Sequence, residues 1–177
     1  MRLFIAADFN ELNDYFAGLQ KQLPQNAKLN SVKSFHLTLK FLGEVPQNDV
    51  GGITDSLIKI KFEKFSVSLD SIGIFPTEDN ARVVWVGLKP QEKIIELQKQ
   101  VDYSLEKFFR KETDFKAHIT LARVKFPVDR KSFADEIKKI KIESRKIEIK
   151  DFRLMKSSLT PQGPVYGEIE RFNSKHF

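Results

Sequence analysis

The sequence has no cysteine among its 177 residues. That absence excludes a disulfide scaffold, a thiolate nucleophile and any zinc or iron–sulfur site built on cysteine. Long apolar runs are missing too, since no stretch approaches the roughly 20 residues that a membrane-spanning helix needs. The opening MRLFIAADFNELND lacks the small-residue cleavage site of a signal peptide. We therefore expect a cytoplasmic protein that does not bind membranes.

Motifs typical of several enzyme classes are absent as well. There is no GxxxxGK[ST] phosphate loop, no GxGxxG dinucleotide turn and no GxSxG serine motif. HxH and HExxH, which bind metals, are also missing. Glu44 is the acidic residue that alternation would place on the same face as His36, but it lies at the end of the predicted strand beside Gly43. A catalytic metal usually has three protein ligands, so the sequence predicts neither a metal nor a cofactor.

The composition is that of one globular domain with a charged surface. Hydrophobic residues make up 41% of the chain, with 16 Phe, and charged residues make up 31%. The formal charge of +6 attracts polyanions such as RNA, but charge alone does not show that RNA binds. In the most basic stretch, 138–156, charged and apolar residues alternate, which is typical of the exposed face of a strand.

The chain repeats itself once, at an offset of about 80 residues. RLFIAADF (2–9) resembles RVVWVGLK (82–89), and an amphipathic helix candidate follows each. The paired elements that come after them are the helix candidates 11–23 and 91–109, the helix candidates 47–61 and 129–140, and the strand candidates 65–75 and 147–157. A last strand near 165–172 follows the turn TPQGP.

This order predicts an α+β fold of two β-α-β-α-β lobes, about residues 1–80 and 81–177. The two lobes are expected to be related by an approximate twofold axis, with largely antiparallel sheets flanking a central cleft. A lobe of about 80 residues buries only a marginal core by itself. We therefore expect a single bilobal domain over 1–177, whose halves can exchange strands.

Two of the three histidines begin the same four-residue phrase, His-x-Thr-Leu, 82 positions apart at His36 and His118. If each phrase is a strand, alternation places His36 with Thr38 and His118 with Thr120 on one face, opposite the leucines. Duplication alone could copy such residues without a function, but the flanking residues have diverged while His, Thr and Leu agree. The third histidine, His176, lacks the threonine and is predicted to be an ordinary tail residue.

Two histidines and two threonines facing one cleft suit phosphoryl chemistry. One imidazole can take a proton from water while the other donates a proton to a leaving group. Threonine hydroxyls can donate hydrogen bonds to the oxygens of a phosphate held between them. In-line attack at phosphorus requires the base and the acid on opposite sides, and two facing strands would provide them. The residues do not decide which histidine is the acid.

With these segments in view, the chain resembles the two-histidine phosphoesterases of the RNA 2′,3′-cyclic phosphodiesterase (2′-5′ RNA ligase-like) family. The resemblance covers nearly the whole chain, including MRLFIAADF, FHLTLKFLGEV, RVVWVGL, AHITLARV and SSLTPQGPVYGEIERF. It implies a bilobal α+β fold and metal-independent opening of a 2′,3′-cyclic phosphate on RNA or a nucleotide, leaving a 2′-phosphomonoester. By analogy, His36 is the proton donor, His118 the base, and Thr38 and Thr120 hold the phosphate.

Three further residues are candidate substrate contacts. By alternation, Lys40 shares a strand face with His36 and Thr38. Arg123 matches the arginine of the family's HxTLAR motif, but alternation places it on the face opposite His118 unless a bulge turns it back. Tyr166 can stack on a base. Phe35 and Phe41 are expected in the core. The relatives often have proline where this chain has Ala117.

Two other functions fit the same residues. The reverse reaction would join a cyclic phosphate end to a 5′-hydroxyl, which is 2′-5′ RNA ligation on tRNA-like ends. A non-catalytic module could also use both strands only to bind RNA phosphate. The expected partner in each case is RNA with a cyclic phosphate end or a cyclic nucleotide, bound by a monomer.

Overall fold

The computed structural model describes residues 1–127 and 129–176. Nine strands and four α-helices follow one another along these ranges. In chain order they are β1 (Arg2–Asp8), α1 (Asn13–Lys21), β2 (Ala27–Ser31), β3 (His36–Glu44), α2 (Val50–Leu57), β4 (Phe65–Pro76), β5 (Ala81–Lys89), α3 (Glu92–Ser104), β6 (His118–Pro127), α4 (Arg130–Lys139), β7 (Lys146–Ile149), β8 (Asp151–Thr160) and β9 (Gly163–Asn173). Short 3₁₀ turns precede α1 and α2.

All the strand pairs are antiparallel, and the order is β7-β4-β5-β6-β3-β1-β8-β9, with β2 pairing on β6. Strands from the two sequence repeats are interleaved in both halves of the sheet. β4 of the first repeat pairs with β5 of the second, and β8 of the second pairs with β1 of the first. The α+β fold with largely antiparallel strands agrees with the prediction.

The two halves of the sheet meet at β3 and β6, where Leu37 is paired with Ile119. These residues are 82 positions apart, so each is the repeat equivalent of the other. The approximate twofold axis therefore passes between them. Because His36 and His118 each precede this pair by one residue, the fold places the two histidines symmetrically about that axis.

The core lies between one face of the strands and the helices. Apolar residues of α3 recur every three or four positions, at Ile94, Leu97 and Val101, so they form one buried stripe. Leu37 and Ile119 belong to the same hydrophobic cluster, and burying a side chain of this size contributes about 1.5–3 kcal/mol. Each repeat's helix crosses to the other repeat's motif strand, since α3 contacts β3 and α1 contacts β6.

Some predicted boundaries differ from the structure. The helix expected over 91–109 ends at Ser104, and that over 47–61 is α-helical only at Val50–Leu57. The strand expected over 147–157 is divided at Lys150, because β7 pairs with β4 whereas β8 pairs with β1. β2 is an additional strand that the sequence does not predict, because its mixed residues, AKLNS, carry no clear alternation.

Candidate active site

A cleft of about 530 Å³ opens over the junction of β3 and β6. His36, Thr38, His118 and Thr120 all line it, so the fold brings the two motifs together as their spacing predicted. Arg123 and Tyr166 line the same cleft. All four motif side chains are half-buried, which leaves them accessible from the cleft.

Both motif strands contain a β-bulge directly after the threonine. On β3, Thr38 and Lys40 are paired with the adjacent residues Ala6 and Ile5, so Leu39 is an extra residue. On β6, Thr120 and Ala122 are paired with the adjacent residues Trp85 and Val84, so Leu121 is extra. A bulge reverses the alternation beyond it. In both strands, the residue three positions after the threonine therefore returns to the cleft face.

The bulges decide where the two candidate substrate contacts on β3 and β6, and Phe41, are placed. Arg123 is exposed and lines the cleft, because the bulge turns it to the face of Thr120. Lys40 is turned the other way: it is 5% exposed and lies in the core, so the contact expected from simple alternation is not formed. The core position predicted for Phe41 is wrong, since its side chain is 69% exposed and lines the cleft, whereas Phe35 is buried as expected.

His36 is enclosed by aromatic rings. The Phe4 ring centroid lies 5.1 Å from that of the imidazole, and the Tyr166 ring approaches edge-on at 5.2 Å. Asp8 is the cross-strand partner of His36 and is itself held by Arg153 at 3.2 Å. Phe41, Leu159 and Pro164 extend this apolar side of the cleft.

His118 is held differently. Its Nδ1 lies 2.7 Å from the backbone carbonyl oxygen of Lys116. A carbonyl only accepts, so Nδ1 carries the proton and Nε2 of the neutral ring presents its lone pair. Phe75 approaches the imidazole edge-on at 5.0 Å and is itself stacked on Trp85 at 4.8 Å. Gly73 permits this stack, since a Cβ there would lie 2.2 Å from the indole.

The electrostatic surroundings keep both imidazoles neutral near pH 7. Burial lowers the pKa of His36 to about 4; the charge of Asp8 opposes this, and Arg123 and His118 reinforce it. Burial also lowers the pKa of His118, with the Lys116 carbonyl opposing and Arg123 reinforcing the shift. A bound phosphate anion would raise both pKa values.

Sequence reasoning missed several residues in the cleft or beside its histidines. Phe4 and Asp8 share one face of β1 by alternation and could have been found from RLFIAAD. Phe41 could not, because the bulge that exposes it leaves no signal in the sequence. Leu159 and Pro164 reach the cleft only through the β8–β9 hairpin.

The described residues, 1–127 and 129–176, contain neither a metal-binding cluster nor a membrane-spanning helix. No group of three or more histidine, cysteine, aspartate or glutamate side chains within these ranges is arranged to hold a metal ion. None of their helices combines the length and the apolar character that crossing a bilayer requires.

Comparisons with known proteins agree with this geometry. The family model described as LigT like Phosphoesterase matches twice, at residues 3–85 and 86–166, once for each repeat. RNA 2′,3′-cyclic phosphodiesterase of Archaeoglobus fulgidus is 37% identical over 97% of this chain and 99% of its own length. The protein of the same name from Methanocaldococcus jannaschii is 34% identical over 97% and 100%. The crystal structure of a Thermus thermophilus protein superposes with a TM-score of 0.82 at 26% identity, over 99% of this chain and 100% of the other.

Proposed function

The chain belongs to the LigT-like phosphoesterase family, and from this we propose that it hydrolyses 2′,3′-cyclic phosphodiesters at RNA ends or on nucleotides, leaving 2′-phosphomonoesters. The observation that carries the proposal is the meeting of both His-x-Thr motifs in one cleft about an approximate twofold axis. Full-length relatives at 34% and 37% identity bear the name of this activity. We expect a monomeric cytoplasmic enzyme.

The surroundings of the histidines support a division of roles. His118 presents a free Nε2 lone pair because its Nδ1–H donates a hydrogen bond to the backbone carbonyl oxygen of Lys116, so it is the base that takes a proton from water. The water oxygen bonds to phosphorus while the bond from phosphorus to the 3′ oxygen breaks. His36 donates its proton to that oxygen, which leaves a 3′-hydroxyl. His36 ends neutral and His118 protonated, and exchange with solvent restores both.

The acid must be protonated in the complex although it is neutral in the free protein. The phosphate anion raises the pKa of His36, and Asp8 acts in the same direction. Thr38 and Thr120 donate hydrogen bonds to the non-bridging oxygens, and the guanidinium of Arg123 adds a positive charge on the His118 side.

We assign the ribose and the nucleobase of the substrate to the His36 side of the cleft. The departing 3′ oxygen belongs to the ribose, so the nucleoside must lie beside the acid. Phe41, Tyr166 and Leu159 form an apolar wall there, and aromatic stacking on a base contributes about 1–3 kcal/mol. No comparable set lines the described part of the cleft beside His118, where Thr120 and Arg123 lie.

The test is turnover of cytidine 2′,3′-cyclic phosphate in the presence of a chelator. We expect conversion to cytidine 2′-phosphate alone, identified against both isomers by chromatography and ³¹P NMR. His176→Ala is the matched control and should retain full activity, since this histidine lies outside the cleft.

Each other outcome overturns a stated part of the proposal. No product from mononucleotide or RNA cyclic ends would favour the phosphate-binding module. Loss of activity with chelator would exclude the metal-independent reaction. A joined product from RNA carrying a 5′-hydroxyl, in place of hydrolysis, would identify a ligase.

A further inference from the structure

Lys40 is a buried cation that the reaction above does not use. Its ammonium group is paired with the carboxylate of Asp102 on α3, and the two side chains are 4% and 3% exposed. The same ammonium donates to the backbone carbonyl of Arg110 at 2.8 Å. These contacts join Lys40, the residue that follows the bulge of β3, to the segment 105–117 that leads into β6.

Asp102 continues the link toward the second motif. Its other oxygen accepts hydrogen bonds from the amide of Gln98 at 3.1 Å and the backbone N–H of Glu112 at 2.9 Å. The segment fixed at Arg110 and Glu112 runs on to Lys116, whose carbonyl oxygen accepts the Nδ1 proton of His118. A continuous set of polar contacts and backbone therefore runs from the first motif strand to the imidazole of the second.

The link has no charged counterpart on β6. Ala122, 82 positions after Lys40, is the repeat equivalent and is fully buried. The bulge of β6 is held by a neutral contact instead, since Gln20 of α1 donates to the carbonyl of Leu121 at 2.8 Å. Burying an ion pair gives little net stability compared with an apolar pair of similar volume, because both charges must be desolvated. Stability alone does not explain the presence of the pair.

We propose that Lys40, through Asp102, is a positioning residue that fixes the segment 105–117 and with it the carbonyl that orients the ring of His118. The inference rests on the proposed function in that it assigns His118 the role of base. The pair acts on the orientation and tautomer of one imidazole, and it makes no contact with substrate.

The test replaces both charges, because Lys40→Met alone would leave Asp102 buried without its partner and could unfold the protein. Lys40→Met nearly keeps the side-chain volume and Asp102→Leu keeps the branched shape, while the bonds to Gln98, Arg110 and Glu112 are lost. We expect a folded protein in which kcat falls about tenfold and KM for the cyclic nucleotide changes less than twofold. The ¹⁵N NMR spectrum should show His118 shifting toward a mixture of tautomers while His36 is unchanged.

Lys93→Met is the matched control, since Lys93 lies on α3 like Asp102, but in an exposed ion pair with Glu96. It should leave kcat and both ring spectra unchanged. An unaltered His118 spectrum and kcat in the folded double variant would overturn the positioning role. The spectrum does not depend on turnover, so it would test the link even if the wild-type protein failed to open a cyclic phosphate.

Discussion

His36 and His118 occupy equivalent positions in the two repeats, yet their surroundings differ. The ring of His36 lies between Phe4 and Tyr166 with Asp8 across the strand pair, and no backbone carbonyl fixes its tautomer within the described chain. The ring of His118 is fixed by the Lys116 carbonyl. The repeat places both imidazoles in one cleft, and the neighbours that break the symmetry support the proposed division into acid and base.

The same contrast holds three residues beyond each threonine. Both bulges return a side chain to the cleft, but it is the phenyl ring of Phe41 in one half and the guanidinium of Arg123 in the other. An apolar surface suits contact with a nucleobase, and a cation suits contact with a phosphate. The cleft is therefore symmetric at the histidines and threonines and asymmetric beyond them, where we propose that the rest of the nucleotide is oriented.

Removing either imidazole should have the largest effect. His36→Ala and His118→Ala are each expected to lower kcat for cytidine 2′,3′-cyclic phosphate by about 10²–10⁴-fold, because each removes one proton transfer. Steady-state kinetics measure the loss, and circular dichroism checks that the fold persists. A decrease of less than tenfold in either folded variant would contradict its role.

The threonines should rank next. Thr38→Val and Thr120→Val each remove one hydroxyl at nearly constant volume, and a hydrogen bond to a charged group contributes about 1.5–3 kcal/mol. We expect kcat/KM to fall about 10- to 100-fold in each variant. Thr54→Val on α2, away from the cleft, serves as the control. Unequal losses of kcat/KM would measure how unequally the two threonines bind the phosphate. No loss in either variant would contradict the proposed phosphate contacts.

Phe41 and Arg123 test the asymmetric part of the cleft. Phe41→Ala should raise KM about fivefold or more with little change in kcat, since base stacking contributes about 1–3 kcal/mol. The control is Phe126→Ala, which removes a ring that is 70% exposed and does not line the cleft.

Arg123→Gln should lower kcat/KM and raise the pKa of both histidines, because its charge lowers both pKa values. If Phe41→Ala and Arg123→Gln changed KM equally, the division of the cleft into a nucleobase side and a phosphate side would be refuted.

The pH dependence gives the smallest and most specific effect. Burial lowers the pKa of both histidines in the free protein, that of His36 to about 4, so the optimum of kcat/KM should lie below pH 6.5. The optimum of kcat should lie at higher pH, because the bound phosphate anion raises both pKa values. NMR titration of the rings with and without inorganic phosphate measures the shift directly. Coincident optima, or titration of both free rings near 6.5, would contradict the electrostatics described.

Much of this arrangement could be predicted from local patterns. The repeat, the two motif strands and their meeting follow from sequence similarity and alternation, since Leu37 and Ile119 are buried while His36 and His118 face the cleft. Alternation alone could not locate the bulges, because they depend on register with β1 and β5; a bulge is an open alternative only for Arg123. For that reason simple alternation misplaced Lys40 and Phe41. That residues 1–177 unfold as one domain stays a prediction.

The most direct measurement compares the two alanine variants on a substrate whose leaving group needs no acid. In a nucleoside 2′,3′-cyclic phosphate with sulfur in place of the 3′ bridging oxygen, the thiolate departs without protonation. Relative to the wild type on this substrate, His36→Ala should lose less than about tenfold, whereas His118→Ala should keep its full loss of about 10²–10⁴-fold. Equal losses in both variants, or rescue of His118→Ala instead, would contradict the assignment of His36 as the acid and His118 as the base.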